Sequence, residues 1–153
     1  DGTTLYWANT FDHVVWAFDL DLPSATLGPR RVFQQFPPKP AGFAFDPAAA
    51  PLQGYRGRPD GAAVDAQGHY WVAMFEGGRL CRFAPDGRLV AEVPTPALCP
   101  TMPCFGGDDL QTLYLTTARH NRSAAELAAQ PEAGCVFAMR VDVPGLPVNF
   151  YED

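Results

Sequence analysis

The sequence has no excess of basic residues and no long apolar run. Its 11 Lys and Arg are outnumbered by 17 Asp and Glu, which leaves a net charge of −6. A protein that binds nucleic acid needs a Lys/Arg excess to displace phosphate counterions, so we expect no nucleic-acid partner. Every apolar run is far shorter than the roughly 18–20 residues of a membrane-spanning helix, and no charged-then-apolar leader opens the sequence. We therefore expect no membrane partner and a cytoplasmic location.

The motifs of several common chemistries are also absent. No Gly-x-Ser-x-Gly motif occurs, and the two serines, Ser24 and Ser123, lie in turn or capping contexts, which argues against a serine hydrolase. The three histidines belong to different motifs, so a histidine metal site would require distant segments to converge. No Lys-Ser/Thr pair follows Gly106-Gly107-Asp108, which excludes a phosphate loop there.

The four cysteines show no CxxC spacing and no histidine at zinc-finger distance. Cys81 and Cys135 lie in apolar, strand-like runs and are expected to be small buried thiols. Cys99 and Cys104 flank a Pro-Thr-Met-Pro segment, where a disulfide is an alternative to two free thiols.

Glycine and proline are abundant, with 14 and 16 residues, which favours short strands joined by turns. Aromatic and β-branched runs recur as hairpins, each pair separated by polar or glycine-containing residues. The three pairs are residues 4–9 with 13–19, 69–73 with 79–83, and 112–117 with 134–139. A third strand is expected at 31–33 and at 88–93. This repetition favours blades of a β-propeller over the alternative, a β-sandwich.

Two segments depart from the strand pattern. Residues 36–58 are rich in Pro, Gly and Ala without clear periodicity, which predicts a long loop between blades. Residues 123–130 predict a short helix, with Ser123 as N-cap, Glu126 as its capping-box partner and Pro131 as the stop signal.

The strongest local signal for chemistry is Arg58-Pro59-Asp60-Gly61. Pro59 lacks an N–H for a sheet and is typical of the beginning of a strand. Gly61 lets the backbone pass close to another group just after the acid. Asp60 then stands at the entry of an inner strand, where blade strands converge on a central channel and a carboxylate can bind a hard cation. The alternative is a turn-capping aspartate held by backbone N–H groups.

The run from Gly57 through Ala73 resembles the signature of the SMP-30/gluconolactonase/LRE family, which includes regucalcin. Further segments are similar to that family in the same order: residues 76–87, 100–119, 133–137 and 143–147. The resemblance covers nearly the whole chain, with the 36–58 loop as the main exception.

The resemblance implies an all-β fold: residues 1–153 form the C-terminal half, about three blades, of a six-bladed propeller. It also implies hydrolysis of a sugar lactone such as gluconolactone, with one divalent cation at the channel mouth. Ca²⁺ or Zn²⁺ is expected, with Mg²⁺ or Mn²⁺ as alternatives. Asp60 matches the family's metal-binding aspartate and is expected to serve both as metal ligand and as catalytic base.

The sequence departs from the family in lacking the blade that carries its metal-binding Glu and the loop that carries its metal-binding Asn. Asn9 offers an amide oxygen, although a role in a turn explains it as well. We therefore expect a missing N-terminal half or self-association to complete the ring. The alternative is a non-catalytic propeller fragment that binds Ca²⁺, a small ligand or a protein.

Overall fold

The computed structural model describes residues 2–46 and 54–147, which form three successive antiparallel sheets. The first contains β1 (Thr4–Asn9), β2 (Val14–Asp21), the two-residue β3 (Thr26–Leu27) and β4 (Arg31–Gln35). The second contains β5 (Arg58–Val64), β6 (Tyr70–Phe75), β7 (Arg79–Phe83) and β8 (Leu89–Pro94). The third contains β9 (Pro100–Gly106), β10 (Thr112–Thr117) and β11 (Val136–Arg140). The predicted all-β fold of about three blades is confirmed.

Each sheet contains one of the three hairpins predicted from the repeat. β1 pairs with β2, β6 with β7 and β10 with β11, each antiparallel. In the second and third sheets a further strand, β5 or β9, pairs with the inner side of the hairpin. No strand among the described residues takes that place beside β1, and none pairs with the outer side of β11.

The middle sheet is buried on both faces because a neighbouring sheet covers each of them. Side chains alternate between faces along a strand. Trp71 and Ala73 of β6 accordingly pack with Leu113 and Leu115 of the third sheet. The intervening residues Tyr70, Val72 and Met74 belong to a separate cluster with Val15 of the first sheet. A strand that is buried on both faces has an unbroken apolar sequence. The sequence of β6, YWVAMF, is of this kind.

The predicted helix is present as α1 (Ala124–Ala129), the single helix in the described residues. The Glu126 backbone N–H donates to the Ser123 hydroxyl, and the Glu126 carboxylate accepts from the Ser123 backbone N–H. This reciprocal capping box is the predicted one. The described part of the chain contains no helix long and apolar enough to cross a membrane. The cytoplasmic location stays a prediction.

The structure rules out one alternative, the disulfide, and corrects two local expectations. All four cysteines are free, and Cys104 lies within β9 with Cys99 just before it. A strand rises about 3.3 Å per residue, which carries these two Cα atoms well beyond disulfide reach. Cys135 is exposed and precedes β11, so the expectation of a buried thiol was wrong there, whereas Cys81 is buried. Arg58 belongs to β5 and not to the preceding loop, whose described parts contain no strand or helix.

Candidate functional site

Asp60 is the third residue of β5 and lies in a β-bulge. Pro59 pairs with Met74 and Ala62 pairs with Val72, so Asp60 and Gly61 share the irregularity between them. β5 is the end strand of its sheet and packs against both β1 and β9. A bulge leaves residues out of the ladder and changes the direction of their side chains, and bulges are common beside functional sites. The predicted placement of Asp60 near the start of an inner strand is confirmed.

Gly61 is required by the close approach of β9. A Cβ at this position would lie 2.5 Å from the carbonyl oxygen of Thr101 and 2.5 Å from the Met102 methyl carbon. Any other residue would therefore force β5 away from β9. The sequence prediction of a close backbone approach immediately after the acid is confirmed.

The Asp60 carboxylate accepts no hydrogen bond from any residue that the structure describes, which contradicts the turn-capping alternative. Partial burial raises the pKa of its carboxyl group, and the positive charge of Arg58 opposes that rise. A half-buried carboxylate without hydrogen bonds is costly to keep ionised unless a ligand or a cation completes its environment.

The described residues do not by themselves fit a metal ion. They contain no group of three or more His, Cys, Asp and Glu side chains placed to hold one, whereas hard divalent cations take about six or more oxygen ligands. Asn9 does not supply a second ligand, because its carboxamide is used within the β1–β2 turn. Its Nδ2 donates to Asp12 at 2.7 Å and its Oδ1 accepts from the Asp12 backbone N–H at 3.4 Å.

Arg58, two residues before Asp60 on β5, is one of three cationic side chains that converge on the buried carboxylate of Glu76, in the β6–β7 turn. Lys39 Nζ lies 2.9 Å from both Glu76 oxygens. Arg122 Nη1 lies at 2.9 Å and Arg58 Nη1 at 3.4 Å. Burial alone would raise the pKa of Glu76, but these three cations more than offset it and lower the pKa. Through these ion pairs, Glu76 holds together the segment after β4, strand β5 and the loop before α1.

A second buried carboxylate, Asp65, has a structural role. Its side chain is fully buried and accepts hydrogen bonds from Trp71 Nε1 at 3.0 Å and from Arg82 Nε at 3.0 Å. The backbone N–H groups of Gln67 and His69 donate to it at 3.0 Å each. With its lone pairs occupied in this way, Asp65 holds the β5–β6 turn against β7 and has no free capacity for a ligand.

Sequence reasoning identified Asp60 but missed the polar group around Arg58. His13 is 7% exposed and Tyr55 is 2% exposed, and their ring centroids are 5.9 Å apart. Burial lowers the pKa of His13, and the positive charge of Arg58 lowers it further. Burial raises the pKa of Tyr55, and Arg58 partly opposes that rise. These residues come from the β1–β2 turn, the segment before β5 and β5 itself. The one signal that pointed to them was Arg58, which stands inside the recognised motif.

The comparisons with known proteins agree with this architecture. Residues 1–119 match the sequence profile described as an SMP-30/Gluconolactonase/LRE-like region. The chain is 44% identical over 145 residues to 6-deoxy-6-sulfogluconolactonase of Pseudomonas putida, covering 95% of this chain and 44% of that protein. It is 35% identical over 153 residues to regucalcin of Danio rerio, covering 99% of this chain and 46% of that protein.

A solved structure gives the same result at the level of the fold. The crystal structure of a calcium-binding protein, regucalcin, from Agrobacterium tumefaciens superposes with a TM-score of 0.79 at 28% identity. The match covers 95% of this chain and 44% of that protein. The chain thus spans less than half the length of each of these three proteins.

Proposed function

The chain belongs to the SMP-30/gluconolactonase/LRE-like family, and from that premise we propose that it forms part of a lactonase that hydrolyses a sugar lactone. The observation that carries the proposal is Asp60, a half-buried carboxylate at a strand bulge that no described residue hydrogen-bonds. A relative is named for a sulfonated gluconolactone, so the substrate class we propose is a hexonolactone, with or without an acidic substituent.

In this proposal Asp60 acts as general base. Its carboxylate takes a proton from a water molecule whose oxygen attacks the lactone carbonyl carbon. The ring ester C–O bond then breaks, and the departing oxygen takes up a proton to give the open hydroxy acid. A positioned base of this kind contributes about 10²- to 10⁴-fold to a rate.

We further propose a divalent cation requirement, with Ca²⁺ as first choice because one relative's structure is described as that of a calcium-binding protein. Zn²⁺, Mg²⁺ and Mn²⁺ are the alternatives. Asp60 is the one donor that we assign from the described residues. The remaining ligands would come from polypeptide beyond this chain or from a second copy. No catalytic step is assigned to the ion.

The open strand edges support the need for further polypeptide, or a second copy, that pairs with this chain. Among the described residues, β1 lacks a neighbour where β5 and β9 stand in the other sheets, and the outer edge of β11 has none either. Trp7 on β1 is 49% exposed and Val136 on β11 is 63% exposed. Unpaired edges with exposed apolar side chains favour pairing with another strand. We propose that an N-terminal half or a second copy completes the ring, and that the isolated chain is catalytically silent.

The experiment compares Asp60→Asn with Asp86→Asn in the full polypeptide that carries these residues. Asp86 is a suitable control because it lies in the β7–β8 turn and accepts its hydrogen bond from the Arg88 backbone N–H. Hydrolysis of gluconolactone and of a sulfonated analogue is followed by acid release, with chelator and with each added cation. We expect Asp60→Asn to lose at least about 100-fold in rate, with Asp86→Asn unchanged.

A non-catalytic module is the second candidate, favoured because the described residues contain no group of three or more His, Cys, Asp and Glu side chains that could hold a catalytic cation. Calcium titration separates the two candidates. Calcium binding that depends on Asp60, without hydrolysis of either lactone, would support the binding module and contradict the lactonase. Equal hydrolysis by wild type and Asp60→Asn would remove the catalytic role of Asp60.

A further inference from the structure

Strands β1, β6 and β10 carry the same pattern of side chains on their two faces. One face of each strand carries an aromatic residue followed by a small one, which we call the aromatic–small pair. These pairs are Tyr6 with Ala8, Trp71 with Ala73, and Tyr114 with Thr116. The opposite face carries two apolar residues, which we call the apolar pair. These pairs are Leu5 with Trp7, Tyr70 with Val72, and Leu113 with Leu115. The two kinds of pair lie on opposite faces because side chains alternate along a strand.

Both junctions between successive sheets bring an aromatic–small pair against the apolar pair of the next sheet. The first sheet's aromatic–small pair packs against the cluster that contains the second sheet's apolar pair, with the Tyr6 and Tyr70 ring centroids 4.8 Å apart. The second sheet's aromatic–small pair packs in one cluster with the third sheet's apolar pair. The two junctions therefore have the same direction along the chain.

Among the described residues, the apolar pair of the first sheet has no neighbouring sheet. It belongs to a wider apolar face, because directly paired residues of neighbouring strands share a face. Leu5 is paired with Phe18, Trp7 with Trp16, and Trp16 with Val32. We call this set the open face of the first sheet (Leu5, Trp7, Trp16, Phe18 and Val32).

The aromatic–small pair of the third sheet is likewise uncovered in the part of the chain that the structure describes. Tyr114 is paired with Cys104 on one side and Ala138 on the other, and Thr116 is paired with Val136. We call this set the open face of the third sheet (Cys104, Tyr114, Thr116, Val136 and Ala138). All five residues are exposed.

The composition of the two open faces favours a protein partner. Neither set contains a charged residue, so docking one face on the other buries no unpaired charge. Trp and Tyr are the residues that contribute most at the centres of protein interfaces, and the open faces contain Trp7, Trp16 and Tyr114. Contiguous apolar patches of this kind are typical of interaction sites.

We propose that a second copy of this chain docks head to tail, with the open face of its first sheet on the open face of the third sheet. Two such contacts close an assembly of two copies. The proposal rests on the completion of the ring put forward with the proposed function, and commits that completion to these faces and to a second copy. The new contact repeats both internal junctions, since an aromatic–small pair again meets an apolar pair.

Two copies is the number that the comparison with a solved structure favours. Head-to-tail contacts close into a ring when the rotation between copies allows it, and otherwise grow into filaments. The chain covers 44% of the regucalcin on which it superposes. Two copies therefore supply nearly the polypeptide of one such protein.

The native thiol of Cys104 reports on docking without any substitution. Cys104 is exposed within the open face of the third sheet, so docking should cover it. Its rate of modification by a thiol reagent is measured by peptide mass spectrometry, beside that of Cys135, an exposed thiol outside the face. At a chain concentration about 100-fold above the Kd, the rate at Cys104 should fall at least about 10-fold, because most molecules are then docked. The rate at Cys135 should change little.

Two substitutions test which faces meet. Val32→Glu charges the open face of the first sheet, and Tyr114→Lys charges that of the third; these side chains are 55% and 43% exposed, so the single chain should still fold. Val32 lies on β4 and Tyr114 on β10, so neither change touches the open edges of β1 and β11. Leu89→Lys is the matched control, because Leu89 is 46% exposed and lies on β8 of the middle sheet, which has no open face.

Sedimentation analysis of the 153-residue chain measures the mass and the Kd of association. We expect wild type and Leu89→Lys to form dimers, and the Kd to rise at least about 10-fold in Val32→Glu and in Tyr114→Lys. An equimolar mixture of the two face variants should associate more tightly than either variant alone. The mixed pair keeps one contact in which both faces are unaltered.

Several outcomes would overturn the proposal. A wild-type chain that stays monomeric, with the same Cys104 reactivity at all concentrations, excludes the second copy. An assembly larger than two copies excludes the closed pair. A loss of affinity in only one face variant means that like faces meet, and no loss in either means that association runs through the edges of β1 and β11.

Lactone hydrolysis is measured separately, so that failure of the docking and failure of the proposed function are distinguishable. A dimer with the expected behaviour of both face variants, but without hydrolysis of either lactone, would support the docking and contradict the lactonase. Hydrolysis by a chain that remains monomeric would support the lactonase and contradict the docking.

Discussion

Gly61 on β5 lies so close to β9 that a Cβ on it would stand 2.5 Å from the Thr101 carbonyl oxygen. The contact joins the inner strands of two successive sheets directly beside Asp60. Because the obstructing atom belongs to the backbone, no change of rotamer can make room. The position of Asp60 therefore depends on the absence of a side chain at its neighbour.

Gly61→Ala should destabilise the fold by about 1–3 kcal/mol, the usual cost of adding a methyl group to a well-packed interior. Chemical denaturation measures the change. Gly28→Ala is the control, because a Cβ there would make ordinary contacts of 3.5 Å with Asp19 and the backbone has no positive φ. Equal effects of the two substitutions would mean that β5 and β9 have more space between them than described.

Asp65→Asn should be among the most damaging isosteric changes in the chain. The amide would direct an N–H₂ group toward the donors of Trp71 and Arg82 and leave the Arg82 charge buried without its partner. Removing one partner of a buried pair costs about 3–5 kcal/mol. Unfolding by urea measures the loss.

The matched control for Asp65 is Asp109→Asn at the exposed ion pair with Arg140, whose members are 52% and 59% exposed. Exposed pairs contribute little, so we expect almost no change in the free energy of unfolding. A loss at Asp109 comparable to that at Asp65 would contradict the distinction between the two sites.

Glu76→Gln should weaken the fold in a pH-dependent manner. The pKa of Glu76 is lower in the folded chain than in the unfolded chain. Its contribution to stability is therefore complete above the unfolded pKa, about 4.3, and is lost as the pH falls through the folded pKa. The stability difference between wild type and Glu76→Gln should be large at pH 7 and should narrow as the pH falls below about 4.

Urea unfolding of both proteins between pH 3 and pH 7 tests this expectation, with Glu132→Gln as an exposed control. A difference that stays constant over that range would mean that Glu76 acts through packing and not through its charge.

The hairpins and the helix were predictable because their signals are local. The aromatic and β-branched runs that predicted β1, β6 and β10 begin within one residue of the strands observed. The Ser123 capping box needs only residues three positions apart. Asp60 was likewise singled out from a four-residue motif, but its role as a ligand rests on the family resemblance and stays a prediction.

The polar group around Arg58 could not be predicted because most of its members meet Arg58 only in the folded chain. His13 and Glu76 come from two different turns, and no spacing in the sequence relates them to Arg58. The error at Cys135 has a similar origin. Its run looks apolar, but β11 begins one residue later, at Val136, and β11 has no covering strand among the described residues.

In the isolated chain of 153 residues, β1 and β11 have open edges within the part that the structure describes. Because each edge presents unpaired backbone groups and an exposed apolar side chain, we expect the isolated chain to associate in solution at micromolar concentration. Light scattering coupled to gel filtration measures the molar mass. Adding charge to both edges, with Trp7→Lys and Val136→Lys together, should lower that mass toward the monomer.

Phe11→Lys is the control for this pair, since Phe11 is 89% exposed but lies in the β1–β2 turn and on neither edge. It should leave the mass unchanged, which would assign the association to the strand edges and not to general surface hydrophobicity. A wild-type chain that stays folded and monomeric at high concentration would contradict pairing through the edges. In that case the ring would not be completed by a second copy, and a separate N-terminal half would be the remaining source of the missing strands and metal ligands.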